Sequence, residues 1–327
     1  MRTTLLLSAF ILVLLACTKE LDLPLPAQEE ELVLNGLLHP DRTIQISLTT
    51  TLPSYTNITN FPVVDNAVVA LYEDDTLVGN LTFRDSLYAI DYYPKVGRTY
   101  TIEAAAVGYP TVRATDAIPP PPEVAICFRE DTADIYTFAS SILDINIIDP
   151  PTETNAYWLE TISSYYTGRV CSLDEDGYTT CEETDQLRLV ETKATYYRSF
   201  SPIPDRFNSF VDNTSGGVTA YDLYVRVDDA TLDGEIISFN IALGSDYNSL
   251  RAGSSDSSSF QLNVLSSSQA HDRYLKSSVM YYLAFEFFEE PNPFAEPVKI
   301  YSNVENGTGI FAAYNSTTLE IRDFPCP

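Results

Sequence analysis

LYAIDYYPKVGRTYTIEAAAVGYPTVRATDAIPPPP, residues 87–122, decides the fold class. Within it LYAIDYY, TYTIEAAA and TVRATDAI alternate apolar and polar side chains with a period of two, as strands with one buried face do. Gly97 and Gly108 stand where the chain must reverse, and the four prolines at 119–122 can continue neither a ladder nor a helix. Working back from there, ELVLNGLL, RTIQISLTT, AVVALYE and TLVGNLTF repeat the pattern, so residues 31–118 are expected to hold seven short strands, the spacing of a sandwich. Turn chemistry separates them at His39-Pro40-Asp41, Glu73-Asp74-Asp75 and Val96-Gly97-Arg98.

Working forward, SILDINIID, AYWLETISSYY, QLRLVETKATYY, YDLYVRVDD, EIISFNIALG and SFQLNVL alternate in the same way. Only residues 268–285 break the habit. There Leu275, Val279 and Tyr282 recur at helical spacing behind serines able to cap an N-terminus, which predicts one helix. A chain of 327 residues is about twice a typical domain, so two domains are expected: residues 31–118 and 123–327, with the proline run 119–122 as linker. The expected fold is mostly β. Its first part resembles the Ig-like or transthyretin-like β-sandwiches of extracellular proteins, in which a Gly-x-x-Tyr turn, here Gly97-Arg98-Thr99-Tyr100, opens the penultimate strand. The second part is a larger β-rich domain with one helix near the C-terminus.

Charge and composition narrow the function. The chain carries 46 Asp+Glu against 19 Lys+Arg, a net charge of -27, and such a surface repels nucleic-acid phosphates. Only 2 His occur, beside 22 Tyr and 16 Phe, so the commonest proton-transfer residue is scarce while strand-favouring aromatics abound. No HExxH, GxSxG, Walker or GxGxxG motif is present. His39 falls in an expected turn and His271 in the first turn of the expected helix, which reads both as surface or boundary histidines. The composition therefore points to a binding protein rather than an enzyme. A two-carboxylate glycosidase leaves no recognisable pattern among so many acids and stays open as an alternative.

Arg2 precedes an apolar stretch, LLLSAFILVLLA at residues 5–16, which is too short to span a bilayer and has the shape of a signal peptide. Leu14-Leu15-Ala16-Cys17 resembles the bacterial lipobox, which makes Cys17 the expected lipidation site. Residues 17–30 then form an acidic, proline-containing tether. The Lys19-Glu20 and Asp22 of that tether resemble the acidic signals that send lipoproteins of Bacteroidota to the cell surface. The expected location is the outer membrane, lipid-anchored, with the body exposed at the surface.

Four cysteines remain after Cys17, an even number in an exported chain. Of the three pairings, Cys171 with Cys181 and Cys127 with Cys326 is preferred; buried free thiols are the alternative. In the loop SLDEDGYTTCEE, Asp174, Asp176 and Glu183 fall where a calcium loop counted from Ser172 places oxygen ligands, with Gly177 at the bend. Position 1 is a serine and flanking helices are not expected, so a solvated acidic turn is the simpler reading, and no cofactor is expected. A second acidic turn, Asp228-Asp229 with Asp233-Gly234-Glu235, reads as a charged strand connection. The pairs Tyr165-Tyr166, Tyr196-Tyr197 and Tyr281-Tyr282 are expected to put one ring in the core and one outside, where a rigid, polar-tipped surface suits sugars, peptides or a protein partner. Thr76, Ser86 and Thr132 each follow an aspartate and precede an apolar residue, which resembles the O-glycosylation sites of Bacteroidota envelope proteins.

Residues 291–314 contain Asn292-Pro293-Phe294, Glu296-Pro297, Ser302-Asn303 and Gly307-Thr308-Gly309-Ile310-Phe311. With the lipobox, the tether, the early LVLNGLL strand, the sandwich and the helix in matching order, the chain resembles the DUF4249 family, lipoproteins of Bacteroidota with no settled activity. That resemblance implies an outer-membrane β-barrel partner, in the manner of the accessories of TonB-dependent transporters. The resulting expectation is a non-enzymatic accessory subunit for nutrient capture or uptake. A structural or assembly accessory, or an adhesin, is the second expectation, and a glycan-active enzyme the third.

Overall fold

The computed structural model describes residues 29–52, 61–130, 141–151, 154–173, 179–194, 197–199, 201–207, 209–212, 219–222, 224–229, 232–243, 257–285 and 298–320. Before the proline run the strands are β1 (Leu32–Leu38), β2 (Ile44–Thr50), β3 (Val68–Glu73), β4 (Thr76–Asn80), β5 (Thr82–Arg84), β6 (Leu87–Ile90), β7 (Thr99–Ala105) and β8 (Val112–Ala117). After it come β9 (Glu123–Glu130), β10 (Ser141–Ile148), β11 (Ala156–Leu173), β12 (Thr179–Ala194), β13 (Tyr197–Arg198), β14 (Ser209–Asp212), β15 (Thr219–Asp222), β16 (Val225–Asp228), β17 (Ile236–Leu243) and β18 (Ser257–Ser267). The helix α1 (Gln269–Phe285) and β19 (Thr308–Glu320) follow. The fold is mostly β, with one helix near the C-terminus among the described residues.

The strands build three sheets. A nine-stranded sheet runs β12-β11-β18-β19-β1-β2-β6-β5, with β16 also on β11; a six-stranded sheet runs β14-β15-β13-β17-β10-β9; a four-stranded sheet runs β4-β3-β7-β8. The long sheet is a common floor. Over one half lies the four-stranded sheet, and between them pack Leu34, Ile46, Leu48, Leu71, Tyr100 and Ile102. Over the other half lies the six-stranded sheet, enclosing Ile145, Ile147, Tyr157, Val227, Phe239 and Leu262.

Strand β19 joins the two halves. It runs parallel to β1, from Val33 opposite Thr308 to Leu38 opposite Ala313, and antiparallel to β18 on its other edge. Its side chains alternate between two layers: Phe311 and Ala313 complete the first core, while Ile310 and Ala312 face α1 through Ala270 and Tyr274. The first core thus includes residues from the far side of the proline run. That run is itself pinned to β19, where Asn315 Nδ2 donates to the Pro119 carbonyl at 3.1 Å and Thr317 Oγ1 to that of Pro122 at 2.7 Å.

The hairpin turns follow from their aspartates. Asp74 and Asp75 have φ of 46° and 65°, and Asp85 and Ser86 have 52° and 67°, the left-handed pairs that match strand twist in two-residue hairpins. TLVGNLTF, which reads as one strand, is two: β4 belongs to the four-stranded sheet and β5 to the long one, with buried Leu81 at the crossing. The helix starts where its cap predicts, since Ser268 Oγ accepts from the His271 amide at 3.1 Å.

The glycines before β19 serve close approach. A Cβ at Gly309, whose φ is +115°, would stand 2.1 Å from the Leu34 carbonyl oxygen, and one at Gly307 2.6 Å from that of Leu32. Gly309→Ala is therefore expected to unseat the parallel β1–β19 pair at a cost of at least about 2 kcal/mol in urea denaturation. An unchanged midpoint would show that the pair tolerates a side chain there.

Candidate functional site

The middle of β19 gathers the first set of buried polar groups. Both histidines flank Tyr314, with ring centroids 5.0 Å away for His39 and 4.9 Å for His271, the latter stacked. Neither lies at the surface: His39 is 8% and His271 3% exposed. His39 Nε2 pairs with Ser316 Oγ at 3.2 Å and His271 Nδ1 with Ser267 Oγ at 2.9 Å. Burial holds the His39 pKa below its ordinary value and pushes that of His271 down to about 4, so both rings are neutral at pH 7. The His271–Ser267 pair is buried and the His39–Ser316 pair part-buried, both packed around Tyr314.

Beside them, Asp116 at the end of β8 accepts from the Ala313 amide at 2.6 Å and from the Ser268 hydroxyl. One carboxyl thereby links the four-stranded sheet, β19 and the cap of α1. Burial pushes its pKa up to about 6, against the hydrogen bonds that favour the charged form.

A second network fastens α1 to the long sheet. Arg226 on β16 grips Asp272 with two parallel bonds, Nε to Oδ1 at 2.7 Å and Nη2 to Oδ2 at 2.8 Å. Its Nη1 reaches Asp205 and Asp228, each at 3.0 Å, and Trp158 Nε1 donates to Asp272 Oδ1 at 2.8 Å. Burial works against the guanidinium charge, but the facing carboxylates outweigh it and raise its pKa. Lys276 closes the set on Asp205 at 2.7 Å. This knot was not legible as a motif, because its members span residues 158 to 276.

The acidic turn at 228–235 gains a partner that its sequence does not announce. Asp149, Asp229 and Asp233 bring carboxylate oxygens within 4.8 Å of one another. Asp149 accepts from Tyr157 Oη at 2.6 Å and the Gly234 amide at 3.0 Å, and Asp229 from the Asn155 amide at 2.7 Å. Burial, together with the neighbouring Asp149 charge, raises the Asp229 pKa. The donors are the chain's own, and they tie the end of β10 to the β16–β17 connection.

The remaining predicted positions fall at margins. Thr76 and Ser86 are exposed at the β3–β4 and β5–β6 turns; Thr132 lies outside the described residues. Cys171 and Cys181 are direct Cα partners across β11 and β12, while Glu183 stands opposite Arg169, three residues below Ser172. The loop thus closes as a hairpin. Asp174, Asp176, Cys326 and Cys17 lie outside the described residues, and Cys127 sits on β9. Of the tyrosine pairs, Tyr281 is half-buried and Tyr282 is 41% exposed, both on the expected helix α1. On the outer face of the four-stranded sheet, Val68, Ala70, Tyr72, Leu77 and Ala105 line a shallow groove of about 270 Å³ beside Glu103.

A family comparison matches residues 18–320 to DUF4249, described as a domain of unknown function. The chain belongs to the DUF4249 family. Searches of curated proteins and of solved structures find no match. The DUF4249 match runs from the residue after Cys17 to the last residue of β19, so it spans both sandwiches and the strand that joins them.

Proposed function

We propose that this DUF4249 protein is a lipid-anchored, non-enzymatic binding subunit at the surface of the outer membrane, working as an accessory of a TonB-dependent transporter. The carrying observation is Leu14-Leu15-Ala16-Cys17, followed by a short acidic tether that leads directly into β1. A di- or triacylated cysteine holds a soluble body stably to a membrane. No helix among the described residues is long and apolar enough to cross one, so in this reading the lipid is the attachment. The acidic body favours neutral or cationic cargo. Bridges between Cys171 and Cys181 and between Cys127 and Cys326 belong to the same exported setting; the facing Cα positions support the first.

A second reading, an assembly accessory or adhesin, draws on the β11–β12 hairpin. Among the described residues β18 begins opposite Tyr166, and β11 and β12 pair onward to Leu173 and Thr179. Cys17→Ser is expected to move the protein from the membrane to the soluble fraction, and crosslinking of the native form to retain a transporter barrel. A Cys17→Ser protein that still sediments with membranes would overturn the anchor. Retention of an assembly or secretion barrel would favour the second reading.

A further inference from the structure

The first described residue in contact with the body is Glu30, held by Tyr109, only 13 residues after Cys17, a length that reaches at most about 45 Å when fully extended. Whatever borders that entry is therefore kept near the lipid. The entry lies at one end of the first sandwich. There Thr51 N donates to the Glu31 carbonyl, Thr50 N to that of Pro62, and Tyr109 Oη to Glu30. Val63 bridges Thr49, Val68 pairs with Ala105 at the end of β7, and Val107 follows in the β7–β8 loop.

Four apolar side chains at this end are open to solvent: Val107 is 90% exposed, Val68 61%, Phe61 58% and Val63 45%. Their backbone neighbours are the strand ends named above, so the four share the end from which the tether departs. We infer that this end rests on the bilayer interface, with Phe61, Val63 and Val107 as its lipid contacts and Tyr109 at headgroup level. The inference rests on the lipid anchor of Cys17 and adds the face that it presents. Phenylalanine and valine gain by leaving water, and an aromatic ring with a polar tip sits well at a headgroup boundary. The occupant is a zwitterionic lipid surface, because Glu29, Glu30 and Glu31 border the same end and repel anionic headgroups. Leu77, 55% exposed on β4 opposite Tyr72, lies toward the far end of the β3–β4 hairpin and would face away from the lipid.

The test uses the acylated full-length protein in phosphatidylcholine vesicles whose chains are brominated, with a tryptophan placed at either end. V107W is expected to lose about half of its added fluorescence to bromine, as a group within roughly 5–10 Å of the acyl boundary should, and L77W none. Adding phosphatidylglycerol should reduce that loss. Both added positions are exposed, and Trp158 is a constant background measured with the parent protein. Vesicles that carry the protein on flotation without quenching V107W would overturn the contact face while leaving the anchor standing. Equal quenching at both positions would also overturn it. Protein that fails to float would overturn the anchor and the face together.

Discussion

Arg226→Met is expected to cost about 3 to 5 kcal/mol of stability, read as a large drop in the urea midpoint at unchanged slope. The side chain of Arg226 is 8% exposed and neutralises Asp272, itself 12% exposed, through two bonds. Removing the guanidinium leaves that carboxylate buried with Trp158 Nε1 as its remaining side-chain donor among the described residues. The penalty comes from the stranded charge more than from the lost attraction, so the double variant Arg226→Met with Asp272→Leu should recover part of it. A loss below about 1 kcal/mol in the single variant would mean that water or another cation reaches Asp272 without rearrangement.

The second large effect concerns pH at the junction. The Asp116 pKa is raised to about 6 by burial, so its contribution to stability is fully present below its unfolded value of 3.8 and is lost as pH rises through 6. His271 has the opposite sense: with a folded pKa of about 4 against 6.5 unfolded, its contribution is present above 6.5 and is lost as pH falls toward 4. Each amounts to roughly 3 kcal/mol, and in the parent they offset each other across the same window. Asp116→Asn removes one side. Its stability minus that of the parent should rise by up to roughly 3 kcal/mol between pH 4 and 7.5, since Asn keeps an acceptor for the Ala313 amide but carries no charge. His271→Gln should show the reverse slope. Comparing difference curves cancels every other titrating group, so two flat curves would remove the junction from the pH response.

The period-two pattern carried most of the strands into view, because one-sided burial imprints itself directly on sequence. Where strands left one sheet for another, as at Leu81, the alternation continued without a mark and two elements read as one. Strand β9 went unrecognised against the proline run, although Val124 and Ile126 alternate as they should. Pairing was the hidden layer. Nothing in LVLNGLL names β19 as its parallel neighbour almost 280 residues later, and the Gly307 and Gly309 that permit the match read equally well as a turn. Asp149 and the Arg226 network were hidden for the same reason: their partners are distant in sequence, and a lone acid before two prolines looks like any other bend. The two histidines read as surface or boundary residues and are in fact buried, since a turn position says little about what later folds over it.

The place of β19 also sets a timetable. The first sandwich lacks Phe311, Ala313 and its central parallel pairing until the last strand has emerged, so the opening third of the chain must wait, with Leu34, Ile46 and Leu48 uncovered, for the closing tenth. A polypeptide secreted head first would then need safekeeping by a holding chaperone during transit, and a fragment cut at the prolines would inherit that exposure for good.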